Sequence, residues 1–247
     1  MARVPRFKQR TVLALLAGLA ALAPGTPAFA DTTNPAMPVG FVDAETVAAG
    51  LVVDMRYYGA ANFVGRPIAG YDEPVCLLTS DAATALARAQ KHLQPLGLGL
   101  KAFDCYRPAR AVNDFVRWAK DLDDQIRKPL HYPDVPKSEL FQRGYIATRS
   151  GHSRGSTVDV TIVDLVTGQE LDMGTVYDWF GPKASPTAHI VSRSARAHRL
   201  LLRLVMRDAG FQPYEQEWWH FTLNSEPYPD FYFDFPLRRS VTADKDR

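Results

Sequence analysis

Ser150-Gly151-His152-Ser153-Arg154-Gly155-Ser156-Thr157-Val158-Asp159 is the stretch on which the reading of this chain turns, and Glu217-Trp218-Trp219-His220 answers it farther along. Together they supply two imidazoles and two carboxylates. A catalytic zinc centre needs three N or O ligands, an open fourth position and a base beside it. His152, Asp159 and His220 are candidates for the ligands, and Glu217 for the base. Fully extended, the seven residues from His152 to Asp159 would span roughly 23 Å, whereas ligands of one ion lie a few ångströms apart. The chain must therefore fold back between them, and Ser153-Arg154-Gly155-Ser156 is turn-type sequence. Asp159 belongs to the β-branched run Val158-Asp159-Val160-Thr161-Ile162-Val163, which predicts a buried strand. Trp218 to Leu223 is also strand-like, so two neighbouring strands would gather the groups. Glu217 precedes His220 by three residues, and on a strand both face one way only if the backbone bends.

The same letters admit a rival. Gly151-His152-Ser153-Arg154-Gly155 fits the G-x-S-x-G elbow of serine hydrolases, with an Asp and a His following. That elbow needs a strand before the serine and a helix directly after it. Here a strand-like run follows, and Gln142 to Thr148 shows no buried-strand pattern, so the metal reading is preferred.

Working outward, Met1 to Ala30 has the composition of a secretory signal: Arg3, Arg6, Lys8 and Arg10, then the apolar run Thr11 to Ala23, then an A-x-A site at Ala28-Phe29-Ala30. The apolar run is short of the roughly 20 residues that a spanning helix needs. The expectation is a chain cleaved after Ala30, periplasmic or secreted, with no membrane association once the signal is removed. The whole chain has 29 basic and 27 acidic residues, for a net charge of +2; without the four basic residues of the signal the balance is 25 against 27, or −2. The basicity belongs to the targeting segment, and nothing points to nucleic acid.

Residues 31–247 are within the range of one domain. Ser80 is the expected N-cap of a helix with Ala83, Leu86, Ala87, Gln90 and Leu93 at helical spacing. Leu98 to Phe103 reads as a strand, and Asp104-Cys105-Tyr106-Arg107-Pro108 leads into a second helix with Val112, Phe115, Val116, Ala119 and Leu122 on one face. Arg107 thus stands where strand gives way to helix. A third helix runs from Ser192 to Ala209, with Ala195, Leu201, Leu204 and Val205 inward, and Gly210 stops it. Elements of both kinds occur without regular alternation, which predicts an α+β domain: an antiparallel central sheet flanked by helices. Cys76 and Cys105 flank the first helix and the strand after it, where they can pair in an exported protein; the alternative is two buried free thiols. The Pro-bearing stretch Lys128 to Arg149 is of the kind that borders a site, and His131 within it reads as a surface histidine. His92, His189 and His198 read the same way.

The motifs S-G-H-S-R-G-S-x-x-D (150–159), E-W-W-H (217–220), D-C-Y-R-P (104–108) and N-F-x-G (62–65) together resemble the D-alanyl-D-alanine dipeptidases, the VanX-type zinc peptidases. The likeness runs from about Val53 to Leu223 with order and spacing kept. It implies one zinc per chain on His152, Asp159 and His220, Glu217 as catalytic base, and Arg107 as the group that steadies the transition state. It further implies substrate contacts at Tyr57, Tyr71, Ser150 and Asp178, and a small D,D-dipeptide as the substrate. A D,D-carboxypeptidase trimming peptidoglycan stem peptides with the same zinc set is the alternative. An exported enzyme of this kind would act in D-alanine salvage or cell-wall turnover.

Overall fold

The computed structural model describes Met1 and residues 35–239; the expected signal segment and its cleavage site lie, Met1 apart, outside the described residues. In chain order the strands are β1 (Phe41–Asp43), β2 (Val52–Val53), β3 (Leu77–Thr79), β4 (Leu98–Asp104), β5 (Thr157–Asp164), β6 (Phe211–Tyr214) and β7 (Glu217–Leu223). The α-helices are α1 (Ser80–Leu93), α2 (Ala109–Lys120), the short α3 (Lys128–His131) and α4 (Arg193–Asp208). The central sheet has the order β2-β4-β5-β7-β6, and β1 pairs with β3 in a second, two-stranded sheet. This is the expected α+β architecture. The central sheet is antiparallel except at its β2 edge, where Val52 and Val53 run parallel to Lys101 and Ala102. No helix among the described residues is long and apolar enough to cross a membrane.

β5 is the middle strand, and its sequence shows why. Val158, Val160 and Ile162 are fully buried and alternate with Thr157, Asp159 and Thr161, also buried. A strand buried on both faces reads as a continuous β-branched run. α1 packs on β3 and β4, and α4 packs on β6 and against α1. Among the described residues the only two cysteines are joined, Cys76 to Cys105, with Cα atoms 5.2 Å apart. The bridge ties the segment before β3 to the end of β4.

Four details differ from the sequence reading, the first being Leu122, expected on the apolar face of α2, which lies beyond the helix end at Lys120 and is 50% exposed. The cap of α1 is Thr79, whose Oγ1 accepts from the Ala82 N–H at 3.4 Å; Ser80 is the first helical residue and donates to the Gly40 carbonyl. On α4 the inward stripe is Ala195, Arg199, Leu202, Val205 and Met206, while Leu204 is 53% exposed. That stripe keeps helical spacing only if a buried arginine is admitted to it. Arg199 earns the place by donating to the carbonyls of Met173, Lys183 and Ser185 at 2.7–2.8 Å, which pins the loop between β5 and α4. His131 is buried rather than superficial: its Nδ1 lies 3.1 Å from the Asp178 carbonyl, and its own carbonyl accepts from the Phe180 N–H. Burial pushes its pKa down to about 4, so it stays neutral, with the Nδ1 hydrogen on that carbonyl. His92 on α1 meets Asp208 at the end of α4 at 3.2 Å, and His198 on α4 meets the Asp172 carbonyl at 2.7 Å.

Candidate active site

Adjacent strands set three carboxylate and imidazole side chains in a row. Asp104 on β4 is paired with Asp159 on β5, and Asp159 with His220 on β7. His152 arrives from the 3₁₀ turn Gly151–Arg154 that precedes β5. The turn closes as the sequence requires, with Ser150 Oγ accepting from the His152 N–H and Gly155 at φ 78°, a left-handed conformation that suits glycine. A Cβ at Gly155 would also collide with the ring of Phe41.

The facing atoms are His152 Nε2, Asp159 Oδ1 and His220 Nδ1, separated by 3.2, 3.1 and 3.3 Å. His152 donates its Nδ1 hydrogen to the Cys105 carbonyl at 2.7 Å, which leaves Nε2 as a bare lone pair. That lone pair faces Asp159 Oδ1, a buried oxygen with no hydrogen-bond partner. Two acceptors this close and out of water call for a cation between them. Bonds of about 2.0–2.1 Å to a tetrahedral ion would separate the ligand atoms by roughly 3.3 Å, so the donors fit a metal ion. Burial alone would raise the Asp159 carboxyl, but positive charge beside it, whether carried by protonated imidazoles or by a bound cation, holds it well below the usual range.

Glu217 Oε2 stands 3.6 Å from His220 Nδ1. The bend that their spacing demands is present. β6 and β7 keep register from Phe211↔Leu223 to Pro213↔Phe221, and then Tyr214 faces Glu217. One step on β6 therefore spans four residues of β7, which lets Glu217 and His220 address the same place. Burial, reinforced by the charge on Asp159, pushes the Glu217 carboxyl up to about 7, against the pull of His220 and Arg107.

Arg107 lies at the junction of β4 and α2, as the sequence placed it. Its Nε and Nη2 donate to Asp104 Oδ2 at 2.8 and 2.7 Å, and the guanidinium lies against the rings of both Tyr57 and Phe115, 5.0 and 5.1 Å from their centroids. Burial by itself would favour a protonated Asp104, but two contacts this short to a guanidinium keep it a carboxylate. A cleft of about 280 Å³ connects these groups; Tyr57, Arg107, Ser150, His152, Asp159, Asp178, Glu217 and His220 all line it. A larger and more open groove of about 640 Å³ runs along residues 170–177 and 190–192, and no such convergence of ligands occurs there.

Of the residues expected at the substrate, Ser150, Tyr57 and Asp178 reach the cleft. The Tyr57 hydroxyl lies 3.0 and 3.1 Å from the two Asp178 oxygens. Asp178 is 4% exposed and has φ 57°, the one non-glycine residue of positive φ among those described. Burial, and then the charges of Asp159 and Glu217, raise its carboxyl well above the ordinary range. Tyr71 does not line the cleft; it is buried, and its hydroxyl donates to Asp104 Oδ1 at 2.7 Å. Asp104 and Tyr177, which donates to Asp159 Oδ2 at 2.9 Å, received no role from sequence. Asp104 stood inside a recognised motif, three residues from Arg107, and that was the available signal. The G-x-S-x-G reading finds no support: Ser153 sits in a 3₁₀ turn followed by a strand, and its Oγ is buried without a partner.

A profile of the D-Ala-D-Ala dipeptidase family matches residues 37–238. The chain is 43% identical over 197 residues to a D-alanyl-D-alanine dipeptidase of Streptomyces coelicolor, covering 80% of this chain and 98% of the relative. It is 40% identical over 201 residues to one of Enterococcus faecalis, covering 81% and 100%. With one of Escherichia coli it shares 33% identity over 189 residues, covering 76% and 87%.

Proposed function

The chain belongs to the D-Ala-D-Ala dipeptidase family, and from that premise we propose that it hydrolyses the D-alanyl-D-alanine dipeptide to free D-alanine with the help of one zinc ion. The observation that carries this is the unpartnered Asp159 Oδ1 facing two imidazole nitrogens, with Glu217 next to them. Two nitrogens and one carboxylate oxygen are a donor set for zinc with a position left open, the mark of a catalytic rather than a structural site. When bound there, zinc supplies Lewis acidity toward the scissile carbonyl and a more acidic water.

The protein's own groups do the rest. Glu217, 3.6 Å from His220 and lining the cleft, is placed to take a proton from water and return it to the leaving amine. Arg107, immobilised by Asp104 and two aromatic faces, presents a fixed positive charge to the oxygen on which negative charge develops. Tyr71 acts through Asp104 on Arg107. At the other end of the cleft Asp178 is the partner for the substrate's ammonium group, whose charge would restore the carboxylate that burial disfavours. Ser150, whose oxygen accepts from the His152 N–H, keeps its own hydrogen for the substrate carboxylate. A buried carboxylate closing the ammonium end favours a free dipeptide over the end of a longer stem peptide. The N-terminal signal pattern supports action outside the cytoplasm, in salvage of D-alanine or turnover of the wall.

Glu217→Gln should retain about one zinc per chain while turnover of D-Ala-D-Ala falls by ~10²–10⁴. His152→Ala should lose both metal and activity. Full activity in the Gln variant would show that another group moves the proton.

A further inference from the structure

Tyr177 carries a hydroxyl to which the chemistry above gives no task. Its ring is packed by Phe103 and Trp219, with centroids 4.7 and 5.3 Å away. Its hydroxyl enters a row of oxygens, 2.9 Å from Asp159 Oδ2 and 3.1 Å from the Tyr57 hydroxyl, which itself contacts Asp178. Each phenol has a single hydrogen to give. Tyr57 gives its hydrogen to Asp178, a carboxyl group with both oxygens in reach. Tyr177 chooses between the carboxylate of Asp159 and a neutral phenol oxygen. The carboxylate is the stronger acceptor, and its contact is the shorter one. The two phenols therefore donate away from each other, each to its own carboxyl group.

The neighbour that remains to Asp159 Oδ2 is Arg107 Nη2, at 3.7 Å, beyond hydrogen-bond range. The Tyr177 hydrogen bond is thus what fixes this oxygen. With Oδ2 held, Oδ1 is left as the oxygen that faces His152 and His220. We infer that Tyr177 is a positioning residue for the metal: its hydroxyl holds Asp159 as a one-oxygen ligand, while Tyr57 serves the ammonium end of the cleft. This rests on the metal centre proposed above.

Tyr177→Phe keeps the ring packing and removes only the hydroxyl. Zinc affinity by chelator competition, and the visible spectrum of the cobalt(II)-loaded protein, should be measured for the parent, Tyr177→Phe and Tyr57→Phe. Partners that orient a metal ligand typically contribute about 10–100-fold in affinity. The Tyr177 variant should therefore bind zinc about 10–100-fold more weakly and show a shifted cobalt spectrum, while the Tyr57 variant matches the parent in both. A Tyr177 variant that matches the parent would overturn the inference. Equal weakening by both variants would overturn it too, since the two hydroxyls would then act as one unit. A parent that binds no zinc would remove the metal centre itself, which separates that failure from the other two.

Discussion

At the scale of single residues, the site works by withholding water from groups that need it. Glu217 is the clearest case, since burial beside Asp159 moves it to about 7, the range in which a carboxylate is an effective general base. A base must be unprotonated, so a raised pKa means activity is lost as pH falls through that value. A dication bound nearby stabilises the carboxylate and shifts the loss downward, so the acidic limb of kcat/KM should lie at or below about pH 7. A pH–rate profile of the parent checks this, and an acidic limb centred clearly above about pH 7 would contradict it. The convergence of His152, Asp159, His220 and Glu217 was legible in the sequence, from their residue types and spacing and from the family motifs that contain them. Tyr177, His131 and Asp104 were not. What they do depends on which oxygen stands opposite them, and the oxygens concerned, Asp159 Oδ2 for Tyr177, the Asp178 carbonyl for His131 and the Tyr71 hydroxyl for Asp104, are brought there only by the fold.

At the scale of elements, irregularities position the chemistry more than regular structure does. The register change opposite Tyr214 puts Glu217 beside His220, and the one between Ala102 and Asp104 ends the regular β4–β5 ladder where Arg107 is anchored. The loop carrying Tyr57 has its own fastenings. Asn62, fully buried, offers its amide to the carbonyls of Arg56, Gly59 and Arg66 and accepts from the N–H groups of Val64 and Gly65. Asp114 on α2 accepts from both terminal nitrogens of Arg66, from Arg117 and from the Ala69 N–H. Burial works against the Asp114 carboxylate, but these donors win and hold its pKa below the ordinary value. Asp114→Asn should cost ~1–2 kcal/mol near neutrality, the lower end of the range for charged hydrogen bonds because both arginines are about half exposed. A carboxyl with a depressed folded pKa contributes fully above the unfolded value of about 3.9, and the contribution fades as pH falls through the folded one. The difference in Tm between parent and variant should therefore shrink below about pH 4; a difference that persists in acid would place its origin elsewhere. Helix positions were legible from apolar spacing, but the inward face of α4 was not, because Arg199 interrupts its apolar stripe.

At the scale of the whole molecule, three segments remote in sequence meet at one cleft: the end of β4 with Arg107, the turn and strand carrying His152 and Asp159, and β7 with its bend. The disulfide lies behind this junction, and the Cys105 carbonyl is the acceptor that orients His152. The α+β class was legible from the irregular order of elements. The parallel edge was not, since β2 has only two residues and too short a pattern to read. In the function proposed above, this assembly recognises both ends of one free dipeptide. Acetylating the substrate removes the ammonium charge and sets bulk against buried Asp178. Stranding one member of a buried charged pair costs ~3–5 kcal/mol, or more than ~10²-fold in rate. The deciding measurement is kcat/KM for D-Ala-D-Ala against N-acetyl-D-Ala-D-Ala on the zinc-loaded parent and on Asp178→Asn. The free dipeptide should be preferred by at least ~10²-fold in the parent and by less in the variant, whereas equal rates on the two substrates in the parent would contradict the dipeptidase account and favour a carboxypeptidase.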